Sequence, residues 1–258
     1  MSRFTIRVAS YDEIGRTYTA TRREDPRLAA AIWAGLGDAR SVLNVGAGAG
    51  AYEPRDREVL ALEPSEVMIA QRPEGAAPLM RGSAEAIPLR DDSVDAAMAV
   101  LSDHHWSERR TGISEMRRVA RERVVLFNCD PAEFARFWFT VEYLPGFVGL
   151  IAAAYQRPGY WEQELRMLLG PIRVEPVPIP HDCVDGFFGA YWRRPEAFLD
   201  EKVRDGISVF ARVAADEVEH AITALRGDLD SGLWHERHKD LLELEELDLG
   251  YKLVIAEL

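Results

Sequence analysis

Three glycines, Gly46, Gly48 and Gly50, stand at alternate positions behind an apolar run in SVLNVGAGAGAYEP, Ser41 to Pro54. Glycine enters left-handed backbone without strain and has no Cβ to hold a ligand away. Where a strand hands over to a helix, such backbone offers free N–H groups and a partial positive charge, which suit a carboxylate or a phosphate. With Ala51 as a third small residue, the run also fits a dinucleotide fingerprint, and a plain tight turn has the same composition. Glu63 follows 15 residues after Gly48. A carboxylate there can accept hydrogen bonds from both hydroxyls of a ribose, or it can be a solvated acid or a helix cap. Together these residues leave nicotinamide and adenosyl cofactors open. His235 and His238, in HERH, are spaced for one helix face, but no third ligand lies nearby and no metal is expected.

The elements that must position these residues alternate. Asp25–Gly37 reads as a helix, capped by Asp25, opened by Pro26 and ended by Gly37, with Leu28, Ile32 and Leu36 on one face. Short apolar strands are expected at Ser41–Val45, Val59–Leu62, Leu79–Arg81, Asp95–Val100 and Val124–Phe127. Between them lie a short helix capped by Ser65, with Glu66 in its first turn, and a helix opened by Ser107. Apolar strands separated by helices imply a parallel sheet covered on both faces, with right-handed crossovers. Ligands then bind beyond the carboxyl ends of the strands, where the glycines stand. After Pro131 the chain becomes aromatic-rich and mostly helical. Ile172–Pro180 reads as a proline-laden edge strand, and 250–257 as a final strand.

The chain has 258 residues, a net charge of −12 and two cysteines, Cys129 and Cys183. The acidity disfavours nucleic acid as main partner. Two cysteines make neither a disulfide framework nor a zinc cluster, so a reducing cytoplasm is expected. The N-terminus, MSRFTIRVASYDEIG, has no apolar core of signal-peptide length, and no stretch approaches the ~20 apolar residues of a membrane span. One domain is expected, 1–258, divided into N-terminal lid helices (1–37), a cofactor-binding core (38–131), substrate-side helices and strand (132–180), a helical insertion (181–247) and a final strand (248–258).

The segment GSAEAIPLRDDSVDAAMAVLSDHHW, Gly82 to Trp106, resembles the class I S-adenosylmethionine-dependent methyltransferases, in particular the large small-molecule-modifying family with a GDAEALPF-like stretch, DxSFD and a histidine pair. VLNVGAGAG is similar to that family's first motif and LALEPS to its second. The resemblance covers about residues 8 to 131 and the last strand. It implies a Rossmann-like, seven-stranded, mostly parallel α/β sheet with an antiparallel last strand and a helical cap inserted before it. The implied cofactor is S-adenosyl-L-methionine. Gly46, Ala47 and Gly48 would cradle its methionine portion and Glu63 its ribose. Pro64, Ser65 and Met68 would lie along the adenine, Ser83, Ala84 and Glu85 at the adenine edge, and Val100 and Leu101 on the sulfonium side. Tyr11 or Tyr18, in a lid-like N-terminal stretch, would close over the cofactor. The sequence departs from the family at Asn44, where an acid is usual, at Ser83, where Asp is common, and at ARERV, where a Pro-Gly-Gly turn is usual.

The implied activity is methylation of a small molecule at O, N or C by a monomer or homodimer. The alternatives are a non-catalytic or regulatory S-adenosylmethionine-binding protein, which Asn44 and Ser83 keep open, and a nicotinamide oxidoreductase, against which Ser83–Glu85 speaks. Methyl transfer needs mainly alignment, and a base only where the acceptor must lose a proton. Asp103, His104 and His105 would stand beside the methyl, with His104 as candidate base and structural histidines as the alternative. The aromatic region after the fifth strand would line the substrate pocket or pack the helical cap, with Tyr160, Trp161, Tyr191 and Trp192 as candidates. Arg193 and Arg194 could bind a carboxylate or lie on the surface. The acidic DLLELEELDLG is expected as a solvated helix with Leu241, Leu244 and Leu247 facing inward.

Overall fold

The computed structural model describes residues 15, 18–149 and 160–258, with side chains from 161 in the last stretch. Two compact units emerge: Glu24–Asp130 with Gly159–Val177 and Tyr251–Leu258, and Met1–Arg23 with Pro131–Pro158 and Pro178–Gly250.

The first unit is the sheet. Its strands are β1 (Ser41–Val45), β2 (Glu58–Glu63), β3 (Leu79–Arg81), β4 (Val94–Val100), β5 (Ala120–Cys129), β6 (Ile172–Pro176) and β9 (Tyr251–Glu257), in the order β3-β2-β1-β4-β5-β9-β6. The first five are parallel, and β9 runs antiparallel between β5 and β6. Val42, Leu43 and Val45 are buried, as an apolar run covered on both faces requires. Asp25 caps the helix Pro26–Gly35 by accepting the Arg27 N–H at 3.0 Å, and Gly37 follows with φ +56°, where a residue lacking Cβ is favoured. Ser65 caps Glu66–Ile69 through the Met68 N–H.

Three expectations change. Ser107 does not cap the helix Arg109–Val119; its hydroxyl donates to Glu85 Oε1 at 2.8 Å. That helix passes directly into β5 at Ala120, so no Pro-Gly-Gly turn has room, and β5 starts four residues earlier than its apolar stretch Val124–Phe127 suggests. The strand expected over Ile172–Pro180 divides: β6 ends at Pro176, on the sheet edge where a missing N–H is tolerated.

The second unit is helical around an aromatic core, with a small sheet of β7 (Ile179–Pro180) and β8 (Glu246–Leu247). Phe139 and Phe198 have ring centroids 4.2 Å apart, and Trp138 meets Trp234 at 5.1 Å. The acidic tail is not a long helix. It forms one short 3-10 stretch, Lys239–Glu243, then β8, and leaves Leu244 exposed. The reason is competition for its backbone. Arg193 donates to the Leu244 carbonyl at 2.7 Å, and the His181 N–H donates to the Glu245 carbonyl at 2.9 Å. Among the described residues no helix is long and apolar enough to cross a membrane.

At the amino ends of the strands, Asp95 Oδ2 accepts the Arg40 and Ser41 N–H groups, each at 2.9 Å, and Oδ1 pairs with Arg121 at 2.5 Å. Arg121 first, then the Ser41 amide, holds this carboxyl far below the usual carboxylate range. A depressed folded value adds stability above the ordinary aspartate value of about 3.9, and that stability is lost as pH falls below it. Asp95→Asn is expected to lower unfolding stability at neutral pH by on the order of 1 kcal/mol. Urea melts along a pH series should show the gap to the parent closing below about pH 4.

Candidate functional site

At the mouth of β1 the backbone is left-handed three times, with φ +70° at Gly46, +53° at Gly48 and +93° at Gly50. The Gly46 and Ala47 N–H groups donate to the Leu62 carbonyl at 2.9 and 3.0 Å. The Gly48 N–H instead donates to Glu63 Oε2 at 2.8 Å, while the Ser65 N–H donates to Glu63 Oε1 at 2.9 Å. Glu63 is 5% exposed. A Cβ at Gly48 would lie 3.2 Å from Met68 Cε. The structure thus gathers Gly46, Ala47, Gly48, Glu63, Pro64 and Met68 at the rim of β1 and β2; Pro64 is exposed and Met68 buried.

The mouth of β4 closes on the same turn. A Cβ at Gly46 would stand 2.7 Å from Ser102 Cβ and 3.3 Å from Trp106 Nε1. Ser102 Oγ donates to the Val45 carbonyl at 2.9 Å. Trp106 also lies against Gly112, where a Cβ would come within 2.5 Å of its ring and 3.1 Å of the Ala84 Cβ. One indole therefore fills the space between β1, the Ala84 segment and the helix Arg109–Val119, at two positions that lack a Cβ. Val100 ends β4, and Leu101 has φ +50°. Positive φ is a strained conformation for a bulky residue, of the kind that clusters at functional sites. The Leu101 N–H is held by the Phe127 carbonyl at 2.8 Å.

Glu85 is turned to the start of that helix, where it accepts from Ser107 Oγ and from the Glu108 N–H at 3.1 Å. Burial pushes its carboxyl up, but the Glu108 and Glu85 amides with the Ser107 and Ser83 hydroxyls outweigh burial and hold it below its ordinary value. Ser83 is thus engaged with Glu85 and Ala84 is buried.

Below the glycines, Asn44 is buried and donates to Glu53 Oε1 at 3.3 Å. Glu53 pairs with Arg72 at 2.8 Å, both side chains 7% exposed. Arg72 also donates to the carbonyls of Gly48 and Ala77. Beyond β4, Asp103 is 1% exposed. Its Oδ2 accepts from Arg109 Nε at 2.8 Å, and Arg109 also pairs with Glu164. Asn128 Nδ2 meets Asp103 Oδ1 and lies 3.3 Å from His104 Nδ1. The rings of His104 and His105 are 3.9 Å apart. Asp103 is therefore an ion-paired anchor, and its geometry is not that of a base.

Several expected substrate residues serve packing. Trp192 is fully buried, its indole N–H donating to the Ile179 carbonyl at 2.9 Å, and its own carbonyl accepts the Trp138 indole N–H. Trp161 is buried in the helix Tyr160–Leu169 of the sheet unit. Arg193 and Arg194 donate to backbone carbonyls, those of Leu244 for Arg193 and of Cys183 and Ala190 for Arg194. Arg194 lies over the Tyr191 ring at 4.9 Å. Tyr18 stands 4.7 Å from the Arg22 guanidinium, which pairs with buried Asp185 at 2.7 Å. Tyr11 and the Tyr160 side chain lie outside the described residues. His235 and His238 face different acids, Glu196 at 3.8 Å and Glu142 at 3.0 Å.

Sequence reasoning missed Ser102, Trp106, Asn128, Arg72 and Arg109. One signal was available: Gly112 sits inside a helix, which costs about 1 kcal/mol against alanine unless something packs there.

Residues 43–127 match the family described as Methyltransferase domain. A solved structure from Anabaena variabilis, named for a methyltransferase of an antibiotic biosynthesis pathway, is 32% identical and covers 92% of this chain and 99% of its own, with a TM-score of 0.83. An S-adenosylmethionine-dependent methyltransferase of Thermotoga maritima covers 96% of this chain and 92% of its own at TM-score 0.51 and 13% identity, a likeness of fold alone. An uncharacterized methyltransferase of Mycobacterium bovis is 40% identical over 91 residues. That match spans 32% of this chain and 36% of the relative. With the sheet order, the glycine turn and a full-length relative in agreement, the chain belongs to the class I S-adenosylmethionine-dependent methyltransferases.

Proposed function

We propose that this chain binds S-adenosylmethionine at the β1–β2 rim and methylates a small molecule at oxygen, nitrogen or carbon. The observation that carries the reading is the cradle: left-handed Gly46 and Gly48 facing the buried carboxylate of Glu63. Gly46, Ala47 and Gly48 would take the methionine portion, because main chain without Cβ can come close to it. Glu63 would hold the ribose. Pro64, Met68, Ser83 and Ala84 would border the adenine, and Val100 and Leu101 the sulfonium side. When bound, S-adenosylmethionine supplies a methyl group activated by its sulfonium, so the acceptor's lone pair forms the new bond as the carbon–sulfur pair leaves with sulfur. The chain's share of the work is to orient the two partners and keep water from between them, and orientation can lower a barrier by several kcal/mol.

The small-molecule class is supported by the Anabaena relative's name and by the net charge of −12, which opposes a nucleic-acid substrate. Asn44 does not count against catalysis. A carboxylate already stands beside it in Glu53, paired to Arg72, and a second acid there would meet like charge.

Calorimetry on folded protein should detect S-adenosylhomocysteine and not a nicotinamide dinucleotide. Glu63→Gln turns an amide N–H₂ toward a backbone donor and is expected to weaken binding about 10- to 100-fold. Uptake of the nicotinamide compound alone, or of neither, would overturn the reading. Asn44→Asp should cost about 1–3 kcal/mol at pH near 7.5, from a one- to two-unit rise in a carboxyl pKa. A raised folded value binds protons on folding, so chemical denaturation should show the loss shrinking as pH falls toward about 5.

A further inference from the structure

We propose that Asn128 is a positioning residue that puts the ring hydrogen of His104 on Nε2, so that this imidazole serves methyl transfer as a hydrogen-bond donor and not as a general base. What the imidazole acts on rests on the reading above; where its hydrogen sits does not.

The placement follows from a chain of forced choices. Arg109 Nε donates to Asp103 Oδ2 at 2.8 Å, and the Asp103 side chain is 2% exposed. A carboxylate paired with a guanidinium serves as a hydrogen-bond acceptor. Its other oxygen faces Asn128, so the amide must present N–H₂ to it. An independent partner agrees: the Cys129 N–H donates to Asn128 Oδ1 at 2.8 Å. The amide orientation is thus fixed from both ends, which is how an Asn is assigned. Its nitrogen lies 3.3 Å from His104 Nδ1. An amide nitrogen donates and does not accept, so Nδ1 must keep its lone pair. In a neutral ring the hydrogen is then on Nε2.

Protonating Nδ1 would set two donors face to face. Among the described residues, the charged groups around this point include Asp103, Arg109, Glu164 and Arg110, and the His105 ring lies 3.9 Å away, tilted by 45°. Both Asp103 oxygens are engaged, by Arg109 and by Asn128. A base acting through Nε2 would need the opposite pattern, with hydrogen on Nδ1. The acceptor class this favours already carries its lone pair when bound: a neutral amine, a thiolate, a phenolate or an enolate.

The probe is the protein with ¹⁵N-labelled histidine, without cofactor or acceptor, in long-range proton–nitrogen spectra at about pH 8, above the ordinary imidazole value of about 6.5. His104→Gln identifies the signal. The parent should show the Nε2–H pattern. Asn128→Asp offers an acceptor to the ring and should move the hydrogen to Nδ1; Asn128→Ala should leave a mixture. A parent spectrum with Nδ1–H overturns the proposal, as does a folded Asn128→Asp protein that keeps the parent pattern. If the aspartate variant does not fold, the parent and Asn128→Ala spectra decide. Failure here leaves cofactor binding untouched, and failed calorimetry leaves this spectrum unchanged.

Discussion

One buried carboxylate determines what the carboxyl rim of the sheet can be. Glu63 ends β2 and accepts N–H groups from Gly48, in the turn after β1, and from Ser65, in the turn after its own strand. Parallel neighbours finish at the same rim, so one acid can close two turns. The Gly48 amide belongs to backbone at φ +53°; an L-residue held there costs about 1–2 kcal/mol. The glycines and the acid are therefore one device. The acid supplies the fixed negative end that the left-handed turn needs, and the missing Cβ atoms let Ser102, Trp106 and Met68 approach the turn closely.

The same use of acids recurs across the sheet unit. Asp95 binds the backbone at the start of β1, Glu53 lies against Gly50 of the glycine turn, Glu85 holds the start of a helix and Asp103 follows the end of β4. The two buried pairs among them, Glu53–Arg72 and Asp103–Arg109, add little net stability over apolar packing, but removing one partner typically costs about 3–5 kcal/mol, because the other is left charged and buried. Their value is direction. The strained Leu101 sits between two such points, tied to Phe127 at its amide, while the next residue, Ser102, is tied to Val45.

What could be read from the residues follows from how local each signal is. β1 and β3 have the bounds expected, and Glu63 lies at the rim, because apolar runs and glycine turns are local. Ser107 as a cap was wrong because Glu85, 22 residues away in sequence, competes for its hydroxyl. The acidic tail carries a helical leucine spacing, yet residues 179–181 and Arg193 claim its backbone. Trp192 looks like a pocket residue by type, and only its buried indole bond shows that it packs. Asn128 carried no signal, since its meaning depends on an arginine, an aspartate and a histidine from other segments.

Two strands repeat one arrangement. On β1, Asn44 donates to Glu53, which pairs with Arg72; on β5, Asn128 donates to Asp103, which pairs with Arg109. In each case the acid is shared between an arginine and an amide, and the acid settles the orientation of the amide. A carboxylate in place of either amide would add a like charge at close range, whereas an amide passes direction onward without adding charge. The departure from an acid at Asn44 is thus the same solution that β5 uses at Asn128. A sheet shared by enzymes of many specificities leaves the acceptor to be set by side chains. In this chain the orientation of Asn44 and of Asn128 is set by an acid paired to an arginine, Glu53 with Arg72 and Asp103 with Arg109.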